Sequence, residues 1–284
     1  MDRPSGTART EQDAVRTTGP GGTLTAVHAE VVSVRFAGRF DVVGLTVGEH
    51  HPGWARARPG QFVVEPGDPG AGVVRPRVHW LAGADQDPVH GTTAELVLPA
   101  GRSSAPGARL RLLGPLGQGF PTPRDPVQAL LVGHEGGAVP LRWLTARLRD
   151  RGCVVHLVLG ADDPELHLDL PFLRRHARTV VLTTSVDLAA TLGRVLDEHD
   201  GAIGVVYAAT PRALLPPLVD AVSSRGVVCR VAALDVDDAG VLCGTGLCGG
   251  CDLVLTGGPR TGRVLRPCLE GPVVPGEWVG GGDP

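Results

Sequence analysis

The pattern of hydrophobic residues changes near residue 125. Residues 23–124 contain short runs of alternating apolar and polar residues, broken by Gly and Pro, such as T-L-T-A-V-H-A-E-V-V-S-V and F-D-V-V-G-L-T-V. Alternation with a period of two is typical of half-buried strands, and Gly and Pro mark the turns between them. Several short strands separated by turns predict an antiparallel Greek-key β-barrel over residues 23–124.

In residues 125–233 the apolar runs become continuous. Helical segments separate most of these runs, and one of them has Pro140 in its first turn and Leu141, Leu144 and Leu148 on one face. Continuous apolar runs indicate strands that are buried on both faces. Alternating buried strands and helices predict a parallel, doubly wound α/β domain. The predicted strands are Q-A-L-L-V-G, C-V-V-H-L-V-L-G, R-T-V-V-L-T-T, I-G-V-V-Y-A-A and G-V-V-C-R-V-A-A.

The two ends of the chain differ from these domains. Residues 1–22 are rich in Gly, Thr, Arg and Pro without apolar periodicity, so we predict a flexible tail. Residues 234–284 contain four of the six cysteines and a predicted hairpin, D-L-V-L-T-G-G-P-R-T-G-R-V-L. We predict a small third domain here, in which the hairpin returns the chain to the last cysteine.

The spacing of these four cysteines is the strongest chemical signal in the chain. Cys243, Cys248 and Cys251 form C-x4-C-x2-C, and Cys268 follows at a distance. This spacing is that of plant-type [2Fe–2S] ferredoxins. The glycines between them allow a tight loop whose backbone N–H groups point at the sulfur atoms. We therefore predict that these four thiolates bind a [2Fe–2S] cluster.

Two other uses of the cysteines stay open. A zinc ion bound by four thiolates is one alternative, although zinc sites usually have shorter cysteine pairs, and a disulfide is the other. Cys153 and Cys229 each border an apolar run, so we predict that both pack in the core.

Composition excludes several classes of function. The 284-residue chain is 42% hydrophobic and 20% charged, with a formal net charge of -3, as is usual for a globular protein of two or three domains. The negative charge and the aromatic content of 4% argue against a nucleic-acid partner. The N-terminus has no apolar run and no stretch is long enough to span a membrane, so we expect a cytoplasmic protein in a reducing environment.

The cysteine motif, with two further segments, resembles a known family. The chain is similar over residues 23–279 to the electron-transfer subunit of class B dihydroorotate dehydrogenase, in the ferredoxin–NADP reductase-like superfamily. The ending C-G-x-G-x-C-x-G-C … C-x-x-G-P-V resembles the cluster signature of that family. P-G-Q-F-V at residues 59–63 and G-P-L-G-Q-G-F at residues 114–120 resemble segments of its flavin barrel. The resemblance implies FAD on the barrel, NAD on the α/β domain, and a [2Fe–2S] cluster near a partner subunit.

The flavin motif departs from the pattern of that family. Where the family has R-P-x-S/T, this chain has Arg75 and Pro76 followed by Arg77-Val78, without the hydroxyl. Arg75 either holds a diphosphate or is a solvated surface arginine. The G-x-G-T loop that approaches the FAD diphosphate is reduced to Gly101 and its neighbours, A-G-R-S. The resemblance implies that Arg75, Pro76 and Gly101 contact the flavin nucleotide.

The nucleotide turn departs further. The family has V-G-G-G-I-G-V-A-P, whereas this chain has V-G-H-E-G-G-A-V-P, with His134 and Glu135 at two glycine positions. The C-G-P motif of the family is here A-T-P, residues 209–211. A carboxylate repels a diphosphate, so we expect that NAD(P) binding is lost. We expect His134 and Glu135 to lie in a solvent-facing turn; a proton-handling pair is the alternative.

These inferences together predict an oxidoreductase subunit rather than a stand-alone enzyme. We expect an iron–sulfur electron-transfer subunit in a hetero-oligomer with a flavin-dependent dehydrogenase or reductase of the dihydroorotate dehydrogenase type. Two alternatives remain: a complete NAD(P)H-dependent flavin reductase, and a non-catalytic scaffold subunit with a structural metal site.

Overall fold

The first part of the chain forms a β-barrel in the computed structural model, which describes residues 16–19, 22–48, 52–68, 70, 75–87, 89, 91–236 and 243–280. A short helix, α1 (Pro52–Ala55), buries Trp54 against the barrel. The strands are β1 (Arg16–Gly19), β2 (Gly22–Ala37), β3 (Phe40–Thr46), β4 (Phe62–Glu65), β5 (Arg77–Asp87), β6 (Gly91–Pro99) and β7 (Arg109–Leu116).

The barrel is closed and has the predicted Greek-key order. Its strands follow the order β2-β3-β6-β5-β4-β7, all neighbours are antiparallel, and β7 pairs with β2 to complete the ring. Alternate residues of each strand fill the interior, including Val63, Leu81 and Leu96, which are fully buried. The opposite alternation places Phe62, Val78 and Trp80 on the outer face, where they join the core of the next domain. Both faces of these strands are therefore buried, one inside the barrel and the other against the α/β domain.

The predicted tail extends less far than residue 22. Residues 16–19 form β1, which pairs with the start of β2 in an antiparallel hairpin. The sequence favours this because threonines, which prefer extended backbone, lie on both sides of a segment rich in Gly and Pro. Residues 1–15 of the predicted tail lie outside the described residues.

The second part of the chain is an α/β domain with five parallel strands in the order β10-β9-β8-β11-β12. The order reverses between β8 and β11, as in doubly wound folds. A sixth strand makes the sheet mixed, as described below. The parallel strands are β8 (Gln128–His134), β9 (Val154–Gly160), β10 (Thr179–Thr183), β11 (Ile203–Ala209) and β12 (Val228–Ala232).

Helices cover both faces of this sheet. The apolar faces of α2 and α3 pack on one side, and those of α4 and α5 pack on the other. Leu141, Leu144 and Leu148 of α2 are buried and Pro140 lies in its first turn, which confirms the prediction. Cys153 and Cys229 are also buried, as predicted. The helices are α2 (Val139–Asp150), α3 (Leu170–His176), α4 (Leu188–Glu198) and α5 (Leu215–Ser223).

The C-terminal segment is built onto the other two domains. The predicted hairpin is present as β13 (Leu253–Val254) and β14 (Val264–Leu265), followed by α6 (Pro267–Glu270). The chain then adds β15 (Val273–Pro275) antiparallel to β12. The prediction of an entirely parallel sheet is therefore wrong at this edge, because V-V-P pairs with a strand more than 40 residues away.

A buried ion-pair network joins the barrel to the α/β domain. The Asp169 carboxylate accepts hydrogen bonds from Arg35 of β2 at 2.7 Å and from Arg142 of α2 at 2.9 Å. Arg142 also reaches Glu95 of β6 at 2.7 Å and the Ala82 carbonyl of β5 at 3.2 Å. Because its hydrogen bonds cross the domain boundary, this network fixes the barrel against α2.

Candidate thiolate centre and flavin groove

The sulfur atoms of the four predicted ligands meet in two pairs. The Sγ atoms of Cys243 and Cys248 are 3.4 Å apart, and those of Cys251 and Cys268 are also 3.4 Å apart. A disulfide has an S–S distance of about 2.05 Å, and all four cysteines are free. Cys251 and Cys268 are buried, whereas Cys248 is exposed. The hairpin β13–β14 brings Cys268 back to the loop that contains the other three.

Backbone N–H groups surround these sulfur atoms. Thr245 and Cys248 donate to the Cys243 sulfur at 3.3 and 3.4 Å, and Gly250 donates to the Cys248 sulfur at 3.4 Å. Positive φ angles at Gly244 (64°) and Gly246 (77°) turn the loop so that these amides face inward. A side chain at Gly246 would collide with Leu269. The glycines of the motif are therefore required by the loop geometry.

These surroundings favour ionised thiols. Burial raises the pKa of Cys243, but hydrogen bonds from Thr245 and Cys248 outweigh it and lower the pKa to about 6. The hydrogen bond between Cys251 and Cys268 lowers the pKa of Cys251 to about 6 and raises the pKa of Cys268. Thiolate is the form that binds metals.

The two pairs of sulfur atoms could hold a two-iron cluster. Among the described residues, no group of three or more His, Cys, Asp or Glu side chains is positioned around one ion. A tetrahedral zinc site needs four ligands around one atom. A [2Fe–2S] cluster instead takes four cysteines, two on each iron. The pairs Cys243–Cys248 and Cys251–Cys268 fit that division.

The cysteine loop lies against the outer face of the barrel. Gly244 approaches Leu116 so closely that an added methyl group would lie 2.7 Å from Leu116 Cδ1 and 3.6 Å from Val64 Cγ2. Val64 is the register partner of Val78, and both belong to the same apolar cluster as Cys251. The cysteine loop therefore lies next to β4 and β7.

A groove runs along this same face of the barrel, and we call it the barrel groove. Its wider part has a volume of about 430 Å³, within the range of small-molecule sites. Apolar side chains line it from both domains, which suits a flat aromatic ligand. They include Phe40, Val78, Trp80, Leu98 and Val139.

The narrower part of the barrel groove is basic. Arg75, Pro76, Arg77 and Arg102 line a space of about 190 Å³ that shares Val78 and other residues with the wider part. The structure thus brings two predicted flavin contacts, Arg75 and Pro76, to one end of the groove. Arginines at the end of an apolar groove suit a ligand that has phosphate groups and a ring.

Gly101, the third predicted flavin contact, is already hydrogen-bonded within the protein. Its N–H donates to Asp41 Oδ2 at 3.0 Å, and the Ser103 hydroxyl donates to the same oxygen at 2.7 Å. Asp41 is fully buried, and its Oδ1 has no hydrogen-bond partner among the described residues. These two donors of the A-G-R-S loop are therefore already used. The wider, apolar part of the barrel groove suits the ring of a flavin nucleotide. The A-G-R-S loop suits a diphosphate less well, because the Gly101 N–H and the Ser103 hydroxyl already donate to Asp41.

The expectation that His134 and Glu135 form a solvent-facing turn is wrong for His134. Its side chain is only 10% exposed, and its Nε2 lies 2.6 Å from the Ser185 hydroxyl. Glu135 is partly exposed and accepts a hydrogen bond from the Asp162 N–H at 3.3 Å. The partners belong to the loops after β9 and β10, which a local pattern does not reveal.

Sequence reasoning missed several residues of the site. Asp41, Asp162 and Ser185 belong to no motif, and their roles depend on contacts 23 to 62 residues apart. Glu65 and His79 form a 3.0 Å contact on the wall of the barrel groove. This hydrogen bond lowers the pKa of Glu65 more than burial raises it. The two residues are diagonal neighbours on the antiparallel strands β4 and β5, where Glu65 is opposite Arg77 and His79 is opposite Val63.

Comparison with known proteins confirms the resemblance. No family model matches the chain. It is 31% identical over 173 residues to the "dihydroorotate dehydrogenase B (NAD(+)), electron transfer subunit" of Geobacillus thermodenitrificans, covering 59% of this chain and 64% of the relative. The corresponding subunit of Desulforamulus reducens is 27% identical, covering 60% and 65%. The match therefore spans slightly less than two thirds of these relatives.

Solved structures show the same fold. The NADH-dependent reduced ferredoxin-NADP oxidoreductase, described in relation to flavin-based electron bifurcation, superposes with a TM-score of 0.68 at 21% identity, covering 88% of each chain. The ferredoxin reductase of carbazole 1,9a-dioxygenase gives 0.57 at 21% identity, covering 72% of this chain and 67% of that one. The fold is thus ferredoxin reductase-like. Of the helices in the described residues, none has the length and apolar character to cross a bilayer.

Proposed function

We propose that this chain is an iron–sulfur electron-transfer subunit that exchanges electrons with a flavin-dependent dehydrogenase of the dihydroorotate dehydrogenase type. Cys243, Cys248, Cys251 and Cys268 would hold a [2Fe–2S] cluster. The barrel groove would hold a flavin nucleotide, with Arg75 and Pro76 at its phosphate end. The names of the curated relatives support the choice of partner.

The observation that carries the proposal is the meeting of four sulfur atoms in two pairs at 3.4 Å. Inward-facing amides at this loop offset the negative charge that four thiolates and bridging sulfides would bring together. When bound, the cluster would supply one-electron transfer between two-electron flavins. The chain positions the thiolates, excludes water from Cys251 and Cys268, and leaves Cys248 at the surface.

The position of the centre also suits electron transfer. The cysteine loop contacts Val64 of β4, and the register partner of Val64, Val78, lines the barrel groove, so a cluster and a flavin would share one face of the barrel. On the other side, exposed Cys248 and the 87% exposed Leu247 present the centre to another polypeptide. The thiolate centre would thus have one side at the surface and the other side against the barrel.

The first test is chemical analysis of protein that has been purified without oxygen. We expect about two iron atoms and two acid-labile sulfides per chain, with the visible absorption of such a cluster. Cys251→Ser should lose most of the iron and sulfide. Cys153→Ala removes a buried thiol outside the centre and should keep both.

One zinc per chain without sulfide would favour the structural-metal alternative and would overturn the proposal. Exchange with the partner is measured separately, by mixing the chain with the catalytic subunit of a related dehydrogenase and dihydroorotate. Bleaching of the cluster absorption only when all three are present would support the proposed partner. If the cluster absorption does not bleach although the catalytic subunit is active, the proposed partner is wrong.

A further inference from the structure

The cleft at the carboxyl ends of β8 and β11 is where a doubly wound sheet normally takes its ligand, because the strand order reverses there. Dinucleotide sites at this position need free backbone N–H groups and small residues, so that a diphosphate can approach the turn after the first strand. In this chain that turn begins with His134 and Glu135. His134 and Glu135 therefore stand in the turn that a diphosphate would approach.

Both side chains reach across the edge of the sheet to neighbouring loops. His134 contacts the Ser185 hydroxyl at 2.6 Å, beyond β10, and Glu135 accepts from the Asp162 N–H at 3.3 Å, beyond β9. The Ser185 N–H in turn donates to Asp162 Oδ1 at 3.2 Å. We call these four residues, His134, Glu135, Asp162 and Ser185, the latch. It connects the loops that follow three adjacent strands.

The latch occupies groups that an anionic ligand would use. The N–H groups of Asp162 and Ser185 are already donated to carboxylates of the latch itself. Two carboxyl side chains, Glu135 and Asp162, stand at the same edge and oppose a second anion. The loops after β9 and β10 thus have these two N–H groups satisfied by negative groups of the chain itself.

The backbone at Glu135 indicates that this arrangement is imposed by its surroundings. Its φ of 44° lies in the left-handed region that non-glycine residues rarely adopt. Such a conformation persists only where neighbouring contacts enforce it, as the hydrogen bond to Asp162 does here. Glycine adopts this φ without strain, so Glu135→Gly is expected to fold.

We propose that the latch closes the cleft to NADH and NADPH, and that His134 and Glu135 are the residues that determine this specificity. Glu135 takes the place of a ligand phosphate, and His134 anchors the turn to Ser185. This inference does not rest on the proposed electron-transfer function, because it concerns nucleotide binding alone.

The test is equilibrium titration of the full chain with NADH and with NADPH, followed by nucleotide fluorescence. The wild-type protein should bind either nucleotide more weakly than about 1 mM, the upper end of ordinary enzyme affinities. Glu135→Gly and the double variant His134→Gly/Glu135→Gly should bind at least about tenfold more tightly, a gain of about 1.4 kcal/mol. Glu198→Gln, which removes a surface charge from α4, should bind as the wild type does.

Glu135→Gln separates the two ways in which the latch excludes the ligand. If it binds as tightly as Glu135→Gly, charge closes the cleft; if it binds as weakly as wild type while Glu135→Gly gains, the volume of the side chain does. Micromolar binding by the wild-type chain would overturn the proposal, and so would folded glycine variants without any gain. Iron and sulfide analysis of the same samples tests the electron-transfer proposal independently.

Discussion

Replacing Asp169 with asparagine tests the contact that fixes the barrel against the α/β domain. The side chain is 1% exposed and lies between Arg35, which is half exposed, and Arg142, which is 4% exposed. Asparagine has almost the same shape and tolerates the φ of 37° at this position. The substitution therefore removes the negative charge and little else.

The expected loss of stability depends on the hydrogen bonds that Arg142 keeps in the variant. Removing one partner of a buried ion pair usually costs roughly 3 to 5 kcal/mol, because a charge is left uncompensated. Arg142 retains Glu95 at 2.7 Å and the Ala82 carbonyl at 3.2 Å, and asparagine still offers one oxygen. We therefore expect the free energy of unfolding to fall by about 2 to 3 kcal/mol, just below that range.

Denaturant unfolding followed by circular dichroism measures this loss. Glu198→Gln is the control, because it removes a carboxylate that pairs with Arg194 at the surface and should leave the midpoint almost unchanged. Burial raises the pKa of Asp169, but hydrogen bonds from Arg35 and Arg142 outweigh it, so its folded pKa is lowered. Its contribution is present above the unfolded pKa of about 4 and is lost as the pH falls through the folded value.

The difference between wild type and Asp169→Asn should accordingly narrow in acid. A loss below 1 kcal/mol at neutral pH, or a difference that stays constant as the solution is acidified, would refute this account of the network.

Two further predictions concern the cysteine loop and a histidine of β9. Gly246→Ala should lower the iron content of purified protein, because a methyl group there collides with Leu269; normal iron content would show that the loop adapts. Burial, with the charges of His199 and Arg178, lowers the pKa of His156, so folding favours its neutral form. The contribution of His156 to stability should therefore be fully present above the unfolded pKa of about 6.5 and should be lost as the pH falls through the folded pKa. Denaturant unfolding from about pH 7.5 to 5 should show a weaker pH dependence of stability in His156→Phe than in the wild type.

Local sequence patterns predicted the elements of the fold well. The three leucines of α2 and the hairpin β13–β14 are present as expected, because helical spacing and turn residues act within a few positions of each other. The change from alternating to continuous apolar runs likewise separated the barrel from the parallel strands.

Contacts between distant segments were not predictable in the same way. The strand β15 pairs with β12, His134 is buried against Ser185, and Asp41 accepts a hydrogen bond from the Gly101 N–H. Each depends on a partner that the fold, and not the local pattern, brings near. The cysteine spacing was informative because the chemistry of a cluster requires several residues at once, whereas a single Asp or Ser has no such signature.

An anaerobic redox titration followed by electron paramagnetic resonance tests the central claim most directly. If the four cysteines hold a two-iron cluster, reduction should produce one paramagnetic species of about one spin per chain. That signal should disappear in Cys251→Ser and persist in Cys153→Ala. A chain that stays silent at every potential, while its thiols remain free to react with an alkylating reagent, would contradict the account.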